Sequence, residues 1–237
     1  MKKAIATFAA LAILGVLAPS IYADAFIIDH FTEPATGQTL SVTGSGSASN
    51  TEIGLAGVVG GSRTLLITTV GQFDNISSLT LDVSGTGSLS MNNGSGQDGT
   101  GKIVWDANGA GLGGVDLTVG GTLPYLQARI LASDLDLGFS VLITETAAAG
   151  GSTAIWTTSL GEGVSFVNQA LSSFTNAANV DFTLVDKIVL MLSGPSAQDT
   201  TLDLLEITNT PAVPEPVTMA LLGLGGLGLL IRRRRHA

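Results

Sequence analysis

Side chains able to do chemistry are few in this sequence. It contains no cysteine, which excludes thiol nucleophiles, zinc–thiolate sites, iron–sulfur clusters and disulfides. Of its two histidines, His236 is next to last and His30 stands alone in the body. A Ser-His-Asp triad would have to be built on His30, with no Gly-x-Ser-x-Gly turn to present the serine. His30 reads instead as a surface residue at the end of a first strand. Carboxylates are plentiful, and a pair flanking a glycosidic bond is the one hydrolytic chemistry the composition leaves open. Trp105 and Trp156 are candidates for stacking against sugar rings, with core packing as the competing role.

Glycine motifs are common because 31 of the 237 residues are glycine. The stretch Gly96-Gln97-Asp98-Gly99-Thr100-Gly101-Lys102 imitates a phosphate-binding loop until Ile103. That position needs a Ser or Thr hydroxyl for magnesium, and a helix must follow. The next residues, Ile103, Val104 and Trp105, favour a strand. G-x-G-x-x-G occurs from Gly94, Gly109 and Gly223, never in the strand–turn–helix setting a dinucleotide requires. No nucleotide site is expected.

The elements that position these residues are read from hydrophobic alternation. Residues 63–70, 126–131 and 139–144 alternate as strands, and 187–192, apolar on both faces, suits a central strand. Shorter strand candidates are 26–29, 52–58, 78–83, 102–105, 115–119, 153–158 and 202–207, with a helical turn at 167–174 and loops at 44–50 and 92–101. Turn residues every 8–14 positions predict an all-β body, an antiparallel β-sandwich over residues 26–213 with no second domain boundary.

Charge separates the ends from this body. Six of the ten basic residues are Lys2, Lys3, Arg232, Arg233, Arg234 and Arg235, while only two of nineteen acids, Asp24 and Glu215, lie in the ends. Four bases against seventeen acids remain, a net charge of −13, which disfavours nucleic acid as a partner. Residues 1–25 have the basic start, apolar stretch and small-residue exit of a secretory signal peptide. Ala23 and Ala25 offer the small side chains a signal peptidase requires; cleavage is expected after Ala25, with Ala23 as the second position. Near the other end, Pro214, Glu215 and Pro216 precede a charge-free run at 217–231 and then the four arginines. Fifteen helical residues span about 22 Å, short of a bilayer core of about 30 Å unless flanking residues snorkel. As a transmembrane helix, the run would keep its arginines cytoplasmic and its body on the far side.

The three-part order of residues 214–237 resembles the PEP-CTERM sorting signal carried by exported proteins of Gram-negative bacteria that make extracellular polysaccharide. The resemblance implies recognition of the Pro-Glu-Pro motif by a membrane protease-transpeptidase, exosortase. It also implies an inner-membrane intermediate and delivery to the cell surface or matrix. The body is also similar to galactose-binding-like jelly rolls, which include carbohydrate-binding modules. The likeness rests on 26–31, 59–65 and 202–207. In such folds a calcium ion often lies between the first and last strands, where Asp29, Glu33 and Asp203 would be its ligands; no other cofactor is expected. The expected function is a non-enzymatic structural or adhesive one in the polysaccharide layer. The alternatives are a carbohydrate-binding module docking on extracellular polysaccharide and, third, a polysaccharide-modifying hydrolase.

Overall fold

The computed structural model describes residues 25–33, 37–71, 75–82 and 87–210. The expected signal peptide, apart from Ala25, and the C-terminal tail lie outside the described residues. Among the described residues there are thirteen strands: β1 (Ala25–Asp29), β2 (Gln38–Thr43), β3 (Gly46–Ile53), β4 (Ser62–Gly71), β5 (Ile76–Asp82), β6 (Ser88–Asn92), β7 (Gln97–Trp105), β8 (Tyr125–Ser133), β9 (Leu137–Glu145), β10 (Thr153–Leu160), β11 (Phe166–Ala170), β12 (Val185–Gly194) and β13 (Asp199–Thr208). They form two antiparallel sheets. The first runs β11-β8-β13-β6-β5-β2, with β1 pairing the far half of β13; the second runs β10-β9-β12-β7-β4-β3. Among the described residues no helix is long and apolar enough to cross a membrane.

Alternation drives the layering. Along β9, Leu137, Phe139, Val141 and Ile143 are fully buried, while the residues between them face outward. The same period in β4, β7, β8, β12 and β13 supplies Leu65, Ile67, Ile103, Leu126, Ile130, Leu190, Leu205 and Ile207 to a single core. At one end of that core Trp156 packs on Phe139 with ring centroids 5.5 Å apart, and Phe174 lies 6.1 Å beyond.

Some expectations change. The glycine-rich stretch 92–101 is a loop only at 93–96; β7 begins at Gln97 and pairs in register with β4 and β12. Residues 44–50 shrink to a turn at 44–45, because β3 starts at Gly46. Sheet pairing overrides the loop-like composition in both cases. Residues 115–119 make only a single bridge from Val115 to Val185, and 54–58 leave the sheet after β3. The helical turn expected at 167–174 is confined to a 3₁₀ turn at Leu171–Ser173, after β11. Strands β2, β6 and β11 are additional to those expected.

The connections are unequal. The short link 195–198 joins the end of β12 to the start of β13, so β12 begins at the pole where β13 ends. The register of each sheet then assigns the longer connections 54–61, 106–124, 146–152 and 171–184 to that same pole. Ala25 lies opposite Thr208 in the β1–β13 pair. Chain entry and chain exit therefore share this long-loop pole.

Candidate functional site

Asp29 and Arg63 meet in the interior, where both are fully buried. Arg63 projects inward from β4 and donates from Nη1 to Asp29 Oδ2 at 2.6 Å. Its Nε and Nη2 reach Glu52 Oε2 at 3.0 and 2.8 Å, and Nη2 also donates to the Glu33 carbonyl. The guanidinium stands 5.7 Å from the centroid of the Phe31 ring. Trp105 Nε1 donates to Asp29 Oδ2 at 3.0 Å, and the Phe31 N–H donates to Oδ1 at 2.7 Å. Burial pushes the Asp29 carboxyl up, against the pull of Arg63 and these N–H donors. Glu52 is also raised by burial, again opposed by Arg63. The cluster ties β1, β3, β4 and β7 together, a structural use of charge.

This geometry locates the residues considered for calcium. Asp29 is occupied by Arg63, Trp105 and the Phe31 N–H. Glu33 Oε2 accepts the Gly57 N–H at 3.2 Å. Asp203 is held on β13 by a two-pronged contact from Arg129, with Nε to Oδ1 at 2.6 Å and Nη2 to Oδ2. The three carboxylates are not brought together, and among the described residues no group of three or more His, Asp or Glu is placed to hold a metal ion. Trp105 is wholly in the core, with no ring face open to a sugar, and Trp156 is partly buried against Phe139 and Phe174. His30 is exposed just past β1, as expected.

The first sheet offers a different arrangement on its outer face. Gln127 lies between the core residues Leu126 and Ala128, Glu206 between Leu205 and Ile207, and Asn168 follows the buried Val167; alternation sets all three on the outer face, where Gln127 and Glu206 are nonetheless buried and Asn168 is partly so. Register aligns them across three strands: Asn168 opposite Gln127, and Gln127 opposite Glu206. Gln127 Nε2 donates to Glu206 Oε1 at 2.9 Å. One step along the same face Phe166 lies opposite Arg129; on the other side Tyr125 begins β8. Both aromatics are partly exposed, and the Arg129 side chain is 42% exposed. Four residues of β8 separate the two levels, about 13 Å. The face is thus a row of amide and carboxylate groups between two aromatic side chains. Burial lifts Glu206 above its ordinary range, with Arg129 opposing. The sequence signal is faint: Gln127 and Glu206 are each one of two polar residues inside the apolar stretches 126–131 and 202–207.

A separate apolar pocket of about 460 Å³ opens at the long-loop pole, lined in part by Leu123, Pro124, Leu171 and Phe182. Pro214, Glu215, Pro216, the four terminal arginines and Ala23 lie outside the described residues, while Ala25 opens β1.

No curated protein matches this sequence. Among solved structures, the chain is similar to the family 11 carbohydrate-binding module of a cellulosomal cellulase of Clostridium thermocellum, at 12% identity over 81% of this chain and 98% of that one, TM-score 0.41. It is also similar to a family 29 carbohydrate-binding module complexed with mannohexaose, at 12% identity over 73% and 92%, TM-score 0.32. An exo-beta-agarase aligns at 13% identity over 62% of this chain and 23% of that one, TM-score 0.38. The family match falls at the C-terminus: residues 212–235 are a PEP-CTERM protein-sorting motif.

Proposed function

We propose that this chain is an exported protein which its C-terminal motif directs, through exosortase, to the cell surface or the extracellular polysaccharide matrix. There the sandwich has a structural or adhesive role. The sorting motif at 212–235 carries this reading. The fold is compatible with it, since the chain enters and leaves the sandwich side by side at one pole, Ala25 opposite Thr208. Mass spectrometry of the protein recovered from the producing organism tests it. A product lacking the signal peptide and ending near Pro214 is expected; an untrimmed chain in the cytoplasm would overturn the proposal.

A second reading, saccharide binding by the same body, is favoured by the Asn168–Gln127–Glu206 row between Tyr125 and Phe166. Amides and carboxylates can take up sugar hydroxyls while aromatic faces cover the apolar side of the ring. Affinity electrophoresis of the full chain in gels containing the host polysaccharide should show retardation that Tyr125→Ala and Phe166→Ala reduce. Equal mobility with and without polysaccharide removes this reading and leaves the sorting proposal intact.

A further inference from the structure

We propose that the chain forms a two-fold dimer by antiparallel pairing of β3 with the β3 of a second copy, joining two six-stranded sheets into one of twelve. The argument starts from the edges. Strand β3 is the outer strand of the second sheet and pairs with β4 over all of Gly46–Ile53 without a register shift. Its other side has no strand partner among the described residues.

Sheet edges in soluble proteins are normally blunted by proline, lysine, a bulge, an inward-pointing charge or a covering loop. Strand β3 has none of the first three. Its one inward-pointing charge, Glu52, is buried and already paired with Arg63, so it leaves no free charge to meet an added strand. The opposite edge of the same sheet is protected. On β10, Ile155 exchanges both backbone hydrogen bonds with Thr175 at 3.0 and 2.8 Å, and Asn176 Nδ2 donates to the Thr153 carbonyl at 2.9 Å. In the first sheet the outer strands β11 and β2 are shorter, at five and six residues against eight.

Charge and symmetry select the occupant. Two bodies of net charge −13 repel wherever acidic surfaces meet. A contact between copies therefore needs an uncharged rim and an attraction independent of charge. The exposed side chains of β3 are Ser47, Ser49, Thr51 and Ile53, and strand addition supplies main-chain hydrogen bonds. Antiparallel pairing of a strand with itself keeps side chains on matching faces only when the axis passes through a residue. Centring on Ser49 sets Ser47 opposite Thr51, a hydroxyl pair like the Thr51–Thr64 contact of 2.9 Å within the chain. Centring on Asn50 would instead oppose two partly buried amides. Because the contact is isologous and the β10 edge is covered, assembly closes at two copies.

The dimer requires neither sorting nor sugar binding, so its test stands apart from theirs. The absence of cysteine makes a crosslink clean. Directly opposed antiparallel residues have Cα atoms about 4.5–5.5 Å apart, inside the disulfide range. In the full chain in detergent micelles, Ser49→Cys should give a covalent dimer under mild oxidation far faster than Thr157→Cys on the covered β10 edge, which carries the same tail. By sedimentation the unmodified chain should be dimeric, and Ser47→Lys/Ser49→Lys, altering exposed positions, monomeric. Equal crosslinking by the two cysteine variants, a monomeric parent, or a lysine variant that remains dimeric would each overturn the proposal.

Discussion

Arg63 decides more of this structure than any other charged residue. Its guanidinium is fully buried against Asp29 and Glu52, so removing it strands two carboxylates in the interior. Losing one partner of such a cluster typically costs about 3–5 kcal/mol. Arg63→Met should therefore lower the unfolding free energy measured in urea by that amount, and Asp29→Asn/Arg63→Met should recover part of the loss; additive losses would show that the pair is not coupled. Glu206 behaves differently because burial raises its pKa while Gln127 still donates to it. A carboxyl raised in the folded state binds its proton longer there than in the unfolded chain. Stability is then lost as pH climbs through the raised value. Glu206→Gln removes that titration and leaves an acceptor for Gln127. Its melting temperature should match or exceed the parent's at neutral pH, with the advantage vanishing below the ordinary value of 4.5. An advantage that persists at lower pH would contradict the assignment. The sequence pattern offers Asp29, Glu33 and Asp203 to a cation; packing β1 of the first sheet against β4 and β7 of the second puts Arg63 and Trp105 on Asp29, and no local pattern announces either partner.

Legibility at the level of elements followed composition. Strands β4, β8, β9, β12 and β13 carry clusters of apolar residues in near alternation and are readable. Strands β2, β3, β6 and the first half of β7 are rich in Ser, Thr, Gly and Asn, whose local preference is for turns; their strand character comes from neighbours. Gly99 shows why such composition is required. It lies in β7 opposite Thr69 on one side and Gly194 on the other. A Cβ there would come within 1.9 Å of Asn93 Oδ1. Asn93 is buried and donates from Nδ2 to the carbonyls of Gly194 and Pro195 at 2.9 and 3.0 Å, which fastens the β6–β7 turn to the end of β12. Gly99→Ala must expel that amide and forfeit two hydrogen bonds, about 2 kcal/mol. Urea unfolding should register the loss, whereas Gly109→Ala, where the added Cβ meets nothing within 4 Å, tests the separate cost of a φ of +84°. If Gly99→Ala were as stable as the parent, the close approach would not be what the glycine serves.

Across the whole molecule, the junction of β1 with β13 links the body to both expected processing events. Ala25 and Thr208 are opposed in an antiparallel pair, the positions at which the chain enters and leaves the sandwich. The Thr210 N–H donates to Thr208 Oγ1 at 3.3 Å, and Thr208 Oγ1 donates to the Thr210 carbonyl at 3.3 Å, turning the chain at the end of β13. Pro211 cannot donate to a ladder. Opposed Cα atoms in such a pair lie within disulfide reach. Ala25→Cys/Thr208→Cys should therefore close nearly the entire body into one loop, with a chain-entropy gain on the order of 5 kcal/mol before any strain. The same variant reports where the signal is cut. Cleavage after Ala23 leaves residue 25 in place, and the exported protein should carry the bridge and melt higher under oxidising than reducing conditions. Cleavage after Ala25 removes the new cysteine, leaving a single thiol at 208 that labels fully with maleimide and a melting temperature indifferent to reductant. A bridge in the exported protein would move the cut upstream of the expected position and keep β1 whole; a free thiol at 208 would place the mature start at Phe26, one residue inside the strand.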